Sequence, residues 1–379
     1  MAFYESFFKV PYPFKKLDSI FCPDFAWSAM EYPGAVTYSE NLLPARVNNI
    51  LDISKRGHVF LHEISHMWFG NLVTMKWWNG LWLNESFAEF ICVKCNSEIH
   101  KKLAFDSTIP WVWFLCNKFR GYREDQLPST HPIAGVVENT QVACSIFDGI
   151  TYNKGSSVLK QLMAIVGEEK FSLALEKYFC KHAYSNTTLD DLLIEFDREL
   201  KKDGKSTLDI MGWRDDWINK AGLNSITFTR DPITSKSYLV QDVCMPAHPT
   251  LRNHFIKVGF FKESGELIKA KEITTSKNGK DEIDTDDVSD FYAVLPNYED
   301  LSFIKVILDP TSLEFFTSKY NLVKDELSRC LILRSVYDMV LGGFCKVDYL
   351  ISLVENIFKS ETDVANAYPR VPSTTMLTS

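Results

Sequence analysis

No run of Lys and Arg in this 379-residue chain exceeds two or three residues, and the formal net charge is −8. A basic surface for nucleic acid is therefore missing, and the acidity reads as solubility. Long apolar runs are also missing. The most apolar late segment, "CLILRSVYDMVLGGF", carries Arg334 and Asp338 and is too short to span a bilayer. The N-terminus "MAFYESFFKVPYPF" places Glu5 inside its apolar stretch and offers no small-residue cleavage site, so it does not resemble a secretory signal. Nine cysteines, an odd number scattered from Cys22 to Cys345, make a poor disulfide framework, and the expected location is the reducing cytosol. There is no internal repeat, no low-complexity block and no G-x-S-x-G nucleophile elbow. What is present is an ordinary globular balance, 46% hydrophobic and 24% charged, with length for two or three domains.

The pattern changes twice along the chain. Up to about residue 225 it is mainly helical, with amphipathic runs such as "GSSVLKQLMAIVGEEKFSLALEKYFCKHA" and "TLDDLLIEFDRELKK". The second opens on Thr188 before an acidic first turn, an expected cap. From there "SITFTR", "SYLVQDV", "HFIKVGFF", "LIKAKEI", "FYAVLPN" and "SFIKVILDP" are short β-rich runs separated by turn formers, the pattern of a small sandwich. After Pro310 helical text returns, through "KDELSRCLILRSVYDMV" and "VDYLISLVENIFKSE", and ends in the polar tail "YPRVPSTTMLTS". The expected organisation is α+β and multidomain: a mainly helical domain over 1–225, a β-sandwich over 226–312, and the start of a helical domain over 313–379.

Within the first region, "HVFLHEISHMWFG" contains His62, Glu63 and His66 as H-E-x-x-H. On a helix, residues four apart lie one above the other, so the two imidazoles converge while Glu63 projects beside them. Catalytic zinc takes three protein ligands and keeps a fourth position open, so a third ligand is needed. Glu85 of "GLWLNESFAEF", with eighteen residues between it and His66, is the candidate, arriving on a second helix. Glu89, four residues further on the same face, is a rival ligand that reads better as a partner orienting a histidine N–H. His58, one turn before the motif, reads as a neighbour of the ligands or a surface residue. Cys92 and Cys95 in "CVKC" have metal-like spacing but no second C-x-x-C, so packing explains them. Trp77, Trp78, Trp111 and Trp113 read as core or pocket wall.

The segment "HEISHMWFGNLVTMKWWNGLWLNESFAEF" resembles the zinc-binding region of the gluzincin aminopeptidases, the family of alanyl and puromycin-sensitive aminopeptidases. Upstream, "PDFAWSAMEYPGAVTYSENLL" is similar to that family's G-x-M-E-N exopeptidase motif, and downstream "FDGITYNKGSSVL" is similar to the segment bearing its catalytic tyrosine. The resemblance runs over residues 5 to 360 and is strongest from 20 to 160. It implies a thermolysin-like catalytic domain, one Zn2+ per chain on His62, His66 and Glu85, and hydrolysis of N-terminal residues from peptides with a free N-terminus. Glu63 then takes a proton from the attacking water and passes it to the leaving amine. Tyr152 stabilises the oxyanion. Glu31 pairs with the substrate ammonium, and the backbone at Ala29 and Met30 offers strand-like hydrogen bonds.

Three positions depart from the family pattern: Ser28 stands for its first glycine, Tyr32 for its asparagine, and Ser86 for the glycine after the metal-ligand glutamate. Family members also carry an N-terminal all-β domain and a full C-terminal helical domain, so the chain reads as truncated at both ends. Two alternatives follow. One is a weakened paralogue or fragment that holds zinc and peptide without efficient turnover. The other, epoxide hydrolysis on the same metal, has no pocket residue to select it.

Overall fold

The computed structural model describes residues 1–43, 50–202, 204, 206, 208–288 and 290–360. The tail segment "YPRVPSTTMLTS" therefore lies outside the described residues. The chain folds as two compact units, one made of Met1–Trp111 with His131–Lys220, the other of Val112–Thr130 with the chain from Ala221 onward.

The first unit begins with α1 (Ala2–Phe8) and a three-stranded sheet of β1 (Asp18–Cys22), β2 (Ala29–Met30) and β3 (Ala35–Ser39). β3 is central, with β1 parallel on one side and the two-residue β2 antiparallel on the other, so β2 is an edge. Helix α2 (Ile50–Ser65), strand β4 (Val73–Met75) and helix α3 (Leu81–Lys102) follow. Sixteen of the 22 residues of α3 are buried, so it has no polar face and forms the centre of the unit. Aromatic rings fill the space around it: Phe87 stacks on Phe69 at 3.9 Å, and Phe69 in turn meets Phe179 at 5.0 Å. Helix α1 is fastened to the end of α2 where the Tyr4 hydroxyl donates to the Leu61 carbonyl at 2.7 Å.

Helix α4 (Ile109–Glu124) carries the chain out of this unit, and α5 (Thr140–Ser145) lies after its return. One π-helical turn, Ile150–Lys154, leads into α6 (Gly155–Val166) and α7 (Glu168–His182). Sequence periodicity runs through residues 155–183 without a stop, but the structure breaks there at Gly167, whose φ of 85° is open to glycine and strained for other residues. Strand β5 (Ser185–Thr187) pairs in parallel with β4, followed by α8 (Leu189–Lys201) and α9 (Ile210–Trp217). The expected cap of α8 is present: the Asp191 carboxylate turns back to accept the Thr188 backbone N–H at 2.8 Å and its hydroxyl at 2.9 Å. The region is mainly helical as expected, but the sheet within residues 18–39 carries no sequence signal. Its β1 is largely exposed on both faces and β2 has two residues, so neither shows the alternation by which strands are recognised.

In the second unit, β6 (Asn224–Arg230), β7 (Ser237–Val243), β8 (Phe255–Phe261), β9 (Leu267–Thr274), β10 (Lys280–Ile283), β11 (Ala293–Tyr298) and β12 (Lys305–Ile307) form two sheets. Their orders are β10-β7-β6-β12 and β11-β8-β9, antiparallel except for the parallel β6–β12 pair. Ile226, Phe228 and Leu239 of one sheet share a core with Ile256, Val258 and Phe260 of the other. The six expected strands are all present; β10, in the charged stretch "KDEI", is the addition. Helices α10 (Pro310–Ser318), α11 (Glu326–Leu341) and α12 (Val347–Ser360) contribute Phe316, Ile332, Leu333 and Leu353 to that same core. Val112, Leu115 and Cys116 of α4 complete it. No helix among the described residues is long and apolar enough to cross a membrane.

Candidate active site

Helix α2 ends at Ser65, one residue before His66, but the chain keeps turning: Met67 N–H bonds to Ile64 O and Phe69 N–H to Ser65 O. The helical spacing therefore survives the helix end, and the His62 and His66 rings lie 4.8 Å apart at 76°. Glu85 reaches them from the second turn of α3. Its Oε2 is 3.3 Å from His62 Nε2 and 3.7 Å from His66 Nε2. The His66 and Glu85 side chains are at least nine-tenths buried and that of His62 nearly so, and their ligand atoms lie within 4.8 Å of one another.

Ligand bonds of about 2.0–2.2 Å around a tetrahedral ion put neighbouring ligand atoms roughly 3.3–3.6 Å apart. The observed separations fit that figure, and two imidazoles with one carboxylate are a zinc donor set. The tautomer fits as well. His66 Nδ1 faces two acceptors, Phe69 O at 3.1 Å and Asn84 Oδ1 at 3.0 Å, so it carries the proton and leaves Nε2 bare toward Glu85.

Glu63 lies beside this set and is not part of it. It is buried, and desolvation raises its carboxyl above the ordinary range, with Glu31 and Glu85 adding to the rise against the pull of His62 and His66. Glu31, at the end of edge strand β2, is half-buried and shares a cluster with Glu63 and His66. Asn84 Nδ2 donates to Glu31 Oε1 at 3.4 Å and to Glu85 Oε1 at 3.2 Å, and Asn71 Nδ2 donates to the Glu31 carbonyl at 2.8 Å. Ala29 and Met30 pair with β3 on one side only. Ser28 gives its carbonyl to Ser39 N–H at 2.9 Å, and Tyr32 stands 51% exposed beside Glu31.

Tyr152 occupies the π-helical turn, its ring 6.3 Å from that of His62 and inclined by 18°. Burial, followed by the Glu85 carboxylate, pushes its phenol far above the ordinary value, so it stays a hydrogen-bond donor. The turn is held at both sides. Asp148 Oδ1 accepts Ile150 N–H at 3.0 Å and Thr151 N–H at 2.9 Å, and its Oδ2 lies 2.8 Å from His131 Nε2. From α3, the Ser86 hydroxyl donates to the Thr151 carbonyl and lies where a Cβ on Gly155 would be. The departure at Ser86 thus does more than fit, since it ties the tyrosine turn to the helix of Glu85.

Glu89, the rival ligand, faces the opposite edge of His62: its Oε2 is 3.5 Å from Nδ1 and 2.9 Å from His58 Nε2. Burial opposes charge on both partners and is outweighed: His58 holds Glu89 well below the carboxylate range, and Cys92, followed by Glu89, pushes His58 up to about 10. Asn84 and Asp148 carry no motif of their own in the sequence. Adjacency to Glu85 is the one signal for Asn84; Asp148 lies in the segment "FDGITYNKGSSVL" but shows its role only through the turn it caps. Of the tryptophans, Trp77 is half-exposed and its indole N–H bonds to Val137 O at 2.6 Å.

Residues 1–217 match the profile of a family described as Peptidase family M1 domain. Aminopeptidase N of Streptomyces lividans is 36% identical, covering 95% of this chain and 43% of its own length. Leucyl aminopeptidase of Saccharolobus solfataricus is 38% identical over 59% of this chain and 27% of its own. Aminopeptidase M1 of Arabidopsis thaliana is 42% identical over 50% of this chain and 21% of its own. The chain thus spans less than half the length of these relatives.

Proposed function

Because the chain belongs to peptidase family M1, we propose that it is a zinc-dependent aminopeptidase that removes N-terminal residues from peptides. The observation that carries this reading is one buried cluster holding His62, His66 and Glu85 beside Glu63, Glu31 and Tyr152. His62 Nε2, His66 Nε2 and Glu85 would hold the ion. When bound, it supplies a Lewis acid that polarises the scissile carbonyl and makes water a better nucleophile at neutral pH. Glu63 accepts the proton of the attacking water on its carboxylate and returns it to the leaving amine. Tyr152 donates its phenolic O–H to the oxyanion, a role suited to a phenol that burial keeps protonated. Glu31 accepts the substrate ammonium, its oxygen aimed by Asn84. The free edge of Ala29 and Met30 receives the substrate backbone as an added strand. In the same reading, unit one is the thermolysin-like catalytic domain, the paired sheets are a sandwich followed by helices, and the scattered cysteines favour a cytosolic location.

The test is hydrolysis of aminoacyl arylamides by zinc-loaded protein with and without a chelator. Turnover lost on chelation and restored by zinc is expected, and Glu63→Gln should lower kcat by roughly 10²–10⁴-fold while retaining the metal. A second reading rests on the exposed Tyr32 side chain next to Glu31, where an altered pocket binds zinc and peptide with little turnover. Well-folded, zinc-loaded protein with no chelator-sensitive turnover would select it.

A further inference from the structure

The two long helices that carry the ligands meet a second time, one turn further back. His58 and His62 are an i, i+4 pair on α2, and Glu89 and Cys92 are an i, i+3 pair on α3, so each pair presents two polar groups to the same spot between the helices. The four donors differ in chemistry and converge closely. His58 Nε2 is 2.9 Å from Glu89 Oε2, which is 3.5 Å from His62 Nδ1. Cys92 Sγ is 3.5 Å from His58 Nδ1 and 3.8 Å from Nε2. One ligand atom from each residue falls within 4.8 Å of the others. The C-x-x-C of the sequence is split by the helix: Cys92 faces this cluster, and Cys95 turns to Tyr4.

We propose that His58, Glu89 and Cys92, with Nδ1 of His62, form a second cation site, distinct from the one on His62 Nε2, His66 and Glu85. With a metal–sulfur bond of about 2.3 Å and metal–nitrogen bonds of about 2.0–2.1 Å, tetrahedral neighbours stand roughly 3.3–3.6 Å apart. The 3.5 and 3.8 Å separations lie near this, and the 2.9 Å His58–Glu89 hydrogen bond lengthens by about half an ångström as the ion replaces its proton. One thiolate, two imidazoles and one carboxylate select a borderline-soft divalent ion such as zinc or cobalt over magnesium or calcium. With both sites filled the charges balance: two dications face the Glu85 and Glu89 carboxylates, the Cys92 thiolate and a His62 imidazolate, the Cys92 thiol proton and the His58 imidazolium proton passing to solvent as the second ion binds. His58, with a side chain 12% exposed, keeps the site in contact with solvent. His62 then gives one ring nitrogen to each ion, losing its N–H proton to do so, and its imidazolate joins the two sites.

The inference shares His62 with the aminopeptidase reading, so the test separates the two sites. Metal-free protein is titrated with Co2+ and followed by metal-to-protein ratio and by absorption. Two equivalents are expected, one of them with an intense near-ultraviolet thiolate-to-cobalt charge-transfer band. Cys92→Ser should lose that band and one equivalent, and His58→Gln should weaken it. Glu85→Gln should lose the other equivalent and keep the band. Absence of the band at saturation in the wild type, or its survival in Cys92→Ser, overturns the second site. In that case Glu89 serves to orient His62, and the fate of the first site is still read from Glu85→Gln.

Discussion

His66 owes its orientation to a residue with no side chain. Gly70 has φ of 115°, and a Cβ there would sit 2.5 Å from Asn84 Oδ1, the atom that accepts from His66 Nδ1. Gly70→Ala would therefore push Asn84 off both His66 and Glu85. Partners of this kind contribute about 10–100-fold to metal affinity, and a loss of that size is expected in competition with a chromogenic chelator, with secondary structure retained. Unchanged affinity would remove Asn84 from the account. At this scale the sequence is informative where chemistry follows from spacing along one helix, as with His62, Glu63 and His66. Asn84 is different, because two of its three partners, His66 and Glu31, come from other segments. Nothing in "LNES" says that the amide will face His66 and Glu31 at once.

Among the elements, the π-helical turn is the one whose shape serves a side chain, since a wider turn swings Tyr152 toward the ligands. Its stability runs through the His131–Asp148 pair. The Asp148 hydrogen bond raises the His131 imidazole above its ordinary 6.5, and burial, which would raise Asp148, is overridden by His131 and the Thr151 and Ile150 amides, leaving it below 3.8. A raised histidine contributes fully below 6.5 and loses its contribution as pH climbs through the folded value. A lowered aspartate contributes fully above 3.8 and loses its contribution as pH falls through the folded value. His131→Gln should thus cost about 1 kcal/mol between these limits and less outside them, read from urea midpoints across pH. A cost independent of pH would discount the ion pair. The long helices and the strands of the second unit were legible from periodicity, which burial imposes. The sheet of β1, β2 and β3 was not, because its short strands bury too little to impose one, yet it carries Ala29, Met30 and the approach to Glu31.

For the molecule as a whole, the change of pattern near residue 225 lies close to the point where Lys220 ends one unit and Ala221 resumes the other. The earlier crossing at residues 112–130 was invisible, because amphipathic spacing tells that a helix has an apolar face and not which core receives it. Leu115, fully buried, lies in the core of the two facing sheets. Leu115→Ala should destabilise that unit by about 2–5 kcal/mol in chemical denaturation. A fragment stopped at residue 220 would leave Val112, Leu115 and Cys116 without that core, and is expected to bind hydrophobic dyes or precipitate where the whole chain does not. A soluble fragment with a sharp melt would contradict this. The burial of α3 has another result. Its buried stretch from Glu85 to Val93 has no local path for its amides to meet deuterium, so they exchange only when its unit opens as a whole. The slowest clock in the protein is then wound into the helix that carries Glu85 and Glu89.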